Sequence, residues 1–212
     1  MKSLFTLLFC CSLTFIAQAQ KNAVTETGEE IVIYDNGTWK YLNEELNNEV
    51  KVEIPTNPKA FNKSKRSSFQ IKSKILNVGV WLNPKTWSFK KAESNPAAEY
   101  ELKLKNGDLY GMLITEKIEI PIESLKNIAL ENGKSAAPDL HIVHEEYRMV
   151  NGIKVLMMQM DGTTQGIKFS YLGYYYSSHS GTVQFITYTS QNLLKEYRNI
   201  SEDLLNGFNE IQ

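Results

Sequence analysis

A chain of 212 residues with 23 basic against 24 acidic side chains, and a net charge of −1, carries no electrostatic footprint for nucleic acid. Its length supports one core-bearing domain plus shorter segments, and 42% hydrophobic residues place it among globular chains rather than disordered ones. Both of its cysteines, Cys10 and Cys11, fall in a segment expected to be removed, which excludes disulfides, thiolate nucleophiles and thiolate metal ligands from the mature chain.

That segment is residues 1–19. Lys2 supplies a positive start, residues 4–16 (LFTLLFCCSLTFI) are uncharged and apolar, and Ala17-Gln18-Ala19 is a small-x-small cleavage site. Cleavage is expected between Ala19 and Gln20. The apolar run is shorter than the roughly 20 residues that span a bilayer, so the mature chain is not expected to be transmembrane. Phe9 precedes Cys10 where a lipid-modified cysteine needs a small residue. An exported chain without disulfides points to a bacterial envelope, in the periplasm or outside the cell.

Residues 20–42 are expected to form an N-terminal β-hairpin segment. Residues 31–34 and 39–42 are strand formers, and Asn36-Gly37 between them tolerates positive φ. Such a hairpin is marginal alone, so it packs on the main domain or binds a partner. Residues 43–67, rich in Asn, Lys, Glu and Pro, read as a polar linker, with Lys63-Ser64-Lys65-Arg66 as a solvated basic cluster.

The main domain is read over residues 68–212. A short strand at 77–83 ends at Pro84. Tyr100, Leu102 and Leu104 alternate with Glu101, Lys103 and Lys105, the period of a half-buried strand. Asn106-Gly107 turns the chain into a strand at 109–116. Pro121 sits where a helix begins, with Ile122, Leu125, Ile128 and Ala129 on one face and Gly133 placed to end it. A four-stranded antiparallel meander is predicted next: 140–150 and 153–160 around Asn151-Gly152, a polar loop at 161–166, then 167–176 and 182–189 around the turn at 178–181. Ser190 is an N-cap candidate. Leu193, Leu194, Tyr197, Ile200, Leu204, Leu205 and Phe208 then recur at helical spacing, predicting one long amphipathic helix with a break near Ser201.

Alternation decides the layering. In residues 167–176 one parity carries Ile167, Phe169, Tyr171 and Tyr175, and the other Leu172, Tyr174 and Tyr176. Both faces are apolar, so both are covered. The fold class expected is α+β: an antiparallel β-sheet with helices packed on its faces, preceded by a small N-terminal β-hairpin.

This order of elements resembles the PsbP/DcrB-like superfamily, an α/β/α sandwich with a curved antiparallel sheet, over roughly residues 69–208. The resemblance rests on GVWLNPKTW, with Pro84 and Trp87, on the Asn151-Gly152 hairpin and on the terminal amphipathic helix. The segment GEEIVIYDNGTWKYL also looks like a short motif of exported bacterial proteins. The resemblance implies a small binding or accessory subunit; the superfamily has no shared catalytic motif to carry across.

Candidate chemistry is sparse. His141 and His144 stand three apart on a strand, where side chains alternate, so they are expected to point to opposite sides; no metal site is expected. His179-Ser180 lies in a turn without the elbow of a serine nucleophile. Asp161-Gly162-Thr163-Thr164 reads as turn chemistry. No phosphate-binding glycine loop occurs, and no cofactor is expected. Trp81, Trp87, Tyr171, Tyr174, Tyr175, Tyr176, Phe185 and Tyr188 concentrate on strands and one turn, chiefly as core. Met157, Met158 and Met160 fill gaps in that core. The functional alternative is an aromatic platform on the helix-free part of the sheet, with Tyr174, Tyr176 and His179 at its rim. The expectation is therefore a non-catalytic binding or accessory protein of the bacterial envelope, not an enzyme, whose partner is a protein or an envelope component. The alternative is an envelope hydrolase, which needs a deep cleft holding a nucleophile and its base.

Overall fold

The computed structural model describes residues 20–25, 30–34, 39–41 and 53–211. The expected signal segment with Ala19, the Asn36-Gly37 turn, Leu42 of the expected return strand and residues 43–52 of the expected linker lie outside the described residues. The chain divides into two units, Met1–Glu53 and Ile54–Gln212.

In the first unit β1 (Gln20–Val24), β2 (Glu30–Tyr34) and β3 (Trp39–Tyr41) form a three-stranded antiparallel sheet in that order. The expected pair of strands is present, and Gln20–Val24 adds a third. Ile33 faces Trp39 and Ile31 faces Tyr41 across β2 and β3, with the Trp39 and Tyr41 rings edge to face at 5.3 Å.

The second unit carries the strands β4 (Thr56–Phe61), β5 (Phe69–Lys72), β6 (Val78–Leu82), β7 (Trp87–Lys91), β8 (Ala98–Leu104) and β9 (Tyr110–Glu116). The helix α1 (Ile122–Lys134) precedes β10 (His141–Val150), β11 (Ile153–Thr164), β12 (Ile167–Ser178) and β13 (Gly181–Ser190). The helix α2 (Leu194–Leu205) and β14 (Phe208–Glu210) complete it. Eight strands form one sheet in the order β4-β10-β11-β12-β13-β9-β8-β7, antiparallel except where β4 runs parallel to β10. A smaller sheet has the order β14-β6-β5. The fold is an α+β sandwich: a large mixed sheet with two helices, one on each face.

The two parities of β12 feed two cores. Leu172 and Tyr174 join Leu82, Trp87, Leu102, Leu113, Phe185, Leu204 and Phe208 under α2 and the small sheet. Tyr175 joins Leu125, Ala129, Leu140, Leu156, Met158 and Met160 under α1, with Phe169 and Tyr171 at its margin. Met157 and Met158, adjacent in sequence, serve opposite cores as strand alternation requires. Asn151 and Gly152 take φ of 49° and 85°, the conformation a two-residue hairpin needs.

Four local expectations are corrected. Thr56–Phe61, read as linker, is a strand at the sheet edge. Its polar composition reflects that position, since only Phe61 of its six residues is buried, and Pro58 is tolerated where a strand has one free edge. The loop expected at 161–166 shrinks to a turn: β11 continues to Thr164, and Gln165 and Gly166 take φ of 49° and 79°. Gly133 does not end α1 but lies within it, where a Cβ would stand 2.3 Å from Leu140 Cδ2. Phe208 does not continue α2. The helix stops at Leu205, Asn206-Gly207 turns the chain, and Phe208 pairs with Val80 in the small sheet. Ser190 precedes a 3₁₀ turn, Gln191–Leu193, and makes no side-chain capping bond.

The edge strand gives a test of where the domain begins. Tyr147 N donates to Pro55 O at 2.8 Å, Asn151 N to Phe61 O at 2.9 Å, and the Asn57 amide to Glu146 at 3.0 Å. A chain starting at residue 68 loses these bonds and bares the β10 edge. It is expected to unfold at a lower temperature than one starting at residue 54, by scanning calorimetry.

Candidate functional site

The helix α1 covers only part of its face of the large sheet. The core beneath it is built from β10, β11 and β12 side chains, with none from β13, β9 or β8. On that uncovered half, strand register sets four side chains in one row. Tyr171 on β12 faces Tyr188 on β13, Tyr188 faces Tyr110 on β9, and Tyr110 faces Lys103 on β8. Directly opposed residues share a face, so all four project to the α1 side.

The rings are in contact. Tyr110 and Tyr188 stack at 5.5 Å with planes 20° apart, and Tyr171 meets Tyr188 edge-on at 5.8 Å. Phe169 extends the row against Tyr171 at 4.9 Å, and Lys103 Nζ sits 5.5 Å from the Tyr110 ring centre. All three tyrosines are half-buried. Burial raises the Tyr171 and Tyr188 hydroxyls above their ordinary pKa, so both stay neutral donors at physiological pH. None of the three hydroxyls bonds a protein group among the described residues, which leaves them for a ligand's polar atoms.

A cleft lies on either side of the row. One, of ≈ 400 Å³, has Tyr110 and Tyr188 on one wall and Ser88, Lys90, Ser94 and Glu101 on another. Glu101 holds this wall together: its Oε1 accepts from Ser94 N at 2.8 Å and Glu93 N at 3.2 Å, and from the Ser94 hydroxyl. These bonds, those from Ser94 first, hold the Glu101 carboxyl down to about 2, so the wall stays anchored throughout the physiological range. Lys90 sits 3.4 Å from the same carboxylate. The other cleft, of ≈ 450 Å³, runs between Tyr171 and the C-terminal half of α1.

The residues expected at a platform rim lie elsewhere, Tyr174 and Tyr176 on the opposite face and His179 in a turn. Tyr174 is 1% exposed and belongs to the opposite face. Its hydroxyl donates to Asn206 Oδ1 at 2.7 Å and accepts from Arg148 Nη1 at 3.3 Å, and burial pushes its pKa up to about 12. Tyr176 shares that parity; its hydroxyl donates to Glu210 Oε1 and its ring packs 5.6 Å from Phe208. His179 stands exposed in the β12–β13 turn, 2.8 Å from Glu119 Oε2, which raises its pKa. The row that does form uses Tyr171 and Tyr188, both noted as strand aromatics, and Tyr110 and Lys103, which no local pattern marks.

Around Tyr174 lies a polar cluster joining the sheet to α2. Arg148 Nε donates to Glu146 Oε1 at 2.6 Å, and its Nη1 lies 3.5 Å from Glu202 Oε1. The guanidinium also covers the Phe61 ring at 4.4 Å. Burial opposes ionisation of Glu146, but Arg148 and Asn57 outweigh it and keep the carboxyl below its ordinary value. Every charge here has a partner within the fold, which makes the cluster a structural clasp.

A β-bulge alters the histidine pair. The register of β10 against β11 slips between Ile142 and His144, so His141 faces Asp161 and His144 faces Gln159. The two histidines therefore share a side, contrary to simple alternation. Each has a different neighbour: His141 Nδ1 lies 2.9 Å from Asp139 O, and His144 Nε2 3.8 Å from Glu146 Oε2. Among the described residues no three His, Cys, Asp or Glu side chains are grouped to hold a metal, and no helix is long and apolar enough to cross a membrane.

The fold is a mixed sheet between two helices, with a tyrosine row on its open half. This fold is similar to the solution structure of cyanobacterial PsbP (CyanoP) from Synechocystis sp. PCC 6803. The TM-score is 0.54 at 10% identity, over 69% of this chain and 94% of that chain. Lesser similarities reach LpqN of Mycobacterium tuberculosis, a protein involved in cell envelope biogenesis (TM-score 0.46, 9% identity, 68% of this chain and 90% of that one). A third is a protein of unknown function from Pseudomonas aeruginosa, a putative regulator (0.39, 8%, 62% and 89%). No protein-family model matches the sequence, and no curated protein matches it. At these identities the likeness is one of fold.

Proposed function

We propose that this chain is an exported, PsbP-like binding or accessory protein of the bacterial envelope, and that the row Tyr171, Tyr188, Tyr110 and Lys103 is its recognition surface. The observation that carries the reading is the row itself: adjacent rings with unpaired hydroxyls, left uncovered by α1 and flanked by two clefts. Tyrosines suit recognition because each offers a large rigid ring and a polar tip at small entropic cost. Residues 1–19 support export, and the similarity of fold to cyanobacterial PsbP supports placement in that superfamily.

The test is capture from envelope extract by the mature chain, comparing wild type with Tyr110→Ser/Tyr188→Ser and with Lys195→Ser on α2. Loss of one central interface tyrosine costs about 2 kcal/mol, or roughly thirtyfold, so the double variant should bind its partner more weakly by at least that factor while Lys195→Ser binds normally. Equal capture by all three overturns the assignment.

A further inference from the structure

The cleft beside α1 holds something the tyrosine row does not: a buried hydroxyl without a partner. Tyr175 is fully buried and lines this cleft, and its hydroxyl, closed to solvent, meets no hydrogen-bonding group. Buried hydroxyls are paired as a rule, and an exception calls for an explanation. Directly across β13 stands Gln184, 8% exposed, whose side-chain amide also bonds no protein group among the described residues. Two residues whose polar groups have no protein partner thus line one cleft, on neighbouring strands.

The floor of the cleft is apolar, while Asn95, Asn132 and Glu116 add polar groups to its lining. Ile114, Met160 and Ile186 form its floor, each less than a tenth exposed, and Ala129 of α1 with Ala136 in the turn that follows forms a wall. Its volume of ≈ 450 Å³ falls in the range of small-molecule sites, which are mostly apolar with a few placed polar groups. Glu116 is the charged residue of the lining, and neither lysine nor arginine contributes to it. An anion therefore finds no counter-charge there and one repelling carboxylate. Unbranched Met112 and Met160 give the lining the freedom to open onto a hydroxyl that is closed to solvent.

We propose that this cleft binds an uncharged, mainly apolar small molecule bearing one carbonyl or hydroxyl oxygen, which accepts hydrogen bonds from the Tyr175 hydroxyl and the Gln184 amide. The inference rests on reading this face as the binding face and narrows it to a ligand class. Burial holds the Tyr175 pKa above its ordinary value, so the group remains a donor across the physiological pH range.

The test uses the mature chain and the neutral fluorophore N-phenylnaphthylamine, with decanol and decanoate as competitors at neutral pH. Saturable binding of the fluorophore is expected, with decanol displacing it at a concentration at least about tenfold below decanoate, since one hydrogen bond or one unpaired charge is worth that factor. Tyr175→Phe should leave the fluorophore's affinity unchanged, weaken decanol about tenfold and raise the melting temperature of the free protein, because it deletes an unpaired buried hydroxyl. Ala136→Trp, at an exposed position in the turn after α1 on the cleft wall, should block both ligands without unfolding the chain. A Tyr175→Phe variant that melts lower and binds decanol normally overturns the proposal, because the hydroxyl is then satisfied within the fold. Equal competition by decanoate, or no saturable binding, also overturns it. The capture experiment reads separately: tyrosine-dependent capture without fluorophore binding overturns the ligand proposal alone. Fluorophore binding without tyrosine-dependent capture upholds the cleft and overturns only the partner surface.

Discussion

Replacing Arg148 by alanine is expected to destabilise the domain by about 3–5 kcal/mol, the effect of removing one partner from a buried ion pair. The Arg148 and Glu146 side chains are 7% and 12% exposed, so solvent screens little of what is lost. The variant leaves Glu146 with the Asn57 amide and the more distant His144 ring, leaves Glu202 with Arg198, and uncovers the Phe61 ring. The loss should depend on pH. In the native protein Glu146 titrates below its ordinary value of 4.5, so its contribution is present above that value and fades as pH falls through the lower folded value. Without Arg148 the burial remains and favours the protonated acid. The gap between wild type and variant should therefore narrow below about pH 4.5, as urea unfolding at pH 7 and pH 4 will show. Pairing Arg148→Met with Glu146→Leu should recover much of the loss, since an apolar replacement of both partners leaves no charge stranded.

The second large effect is expected at Gly207, where alanine should cost about 3–5 kcal/mol by the same unfolding measurement. A Cβ there would stand 1.9 Å from Trp81 O and 2.9 Å from Leu204 O, both backbone atoms that cannot swing aside. Trp81 N donates to Gly207 O at 2.8 Å, so relieving the clash parts β14 from β6 and draws Phe208, fully buried, out of the core. Gly152→Ala is the matching control. A Cβ at Gly152 meets nothing within 4 Å, and only its φ of 85° resists substitution. That change should cost about 1 kcal/mol. The contrast separates a glycine needed for close approach from one needed for a turn.

Much of the fold is legible because its determinants are local. Asn151-Gly152 sets a hairpin by its own backbone preference, and the apolar residues on both parities of β12 announce two covered faces. Phe208 is misread because helical spacing runs straight through Asn206-Gly207, although that dipeptide is itself a turn signal. Residues 56–61 are misread because an edge strand exposes most of its side chains and so has the composition of a linker.

The candidate site is less legible, for a physical reason. Alternation shows that Tyr171 and Tyr174 point to opposite sides of β12, but not which side α1 will cover and which half it will leave bare. Tyr110 reaches Tyr188 only through the pairing of β13 with β9, segments about 80 residues apart that no local window contains, and Lys103 joins the row through the β8–β9 hairpin. The orphaned Tyr175 hydroxyl is likewise a property of the packed interior. Residue type alone shows a tyrosine; only its surroundings show that the hydroxyl has no partner.

The most direct test of the open half-sheet as the recognition surface is site-specific photocrosslinking in cells. Benzoylphenylalanine replaces Tyr188 in one chain and Glu196, exposed on α2 at the opposite face, in another. The tyrosine row as binding surface predicts a discrete adduct from position 188 and none from position 196. An adduct from position 196 with none from position 188 would place recognition on the α2 side and contradict it.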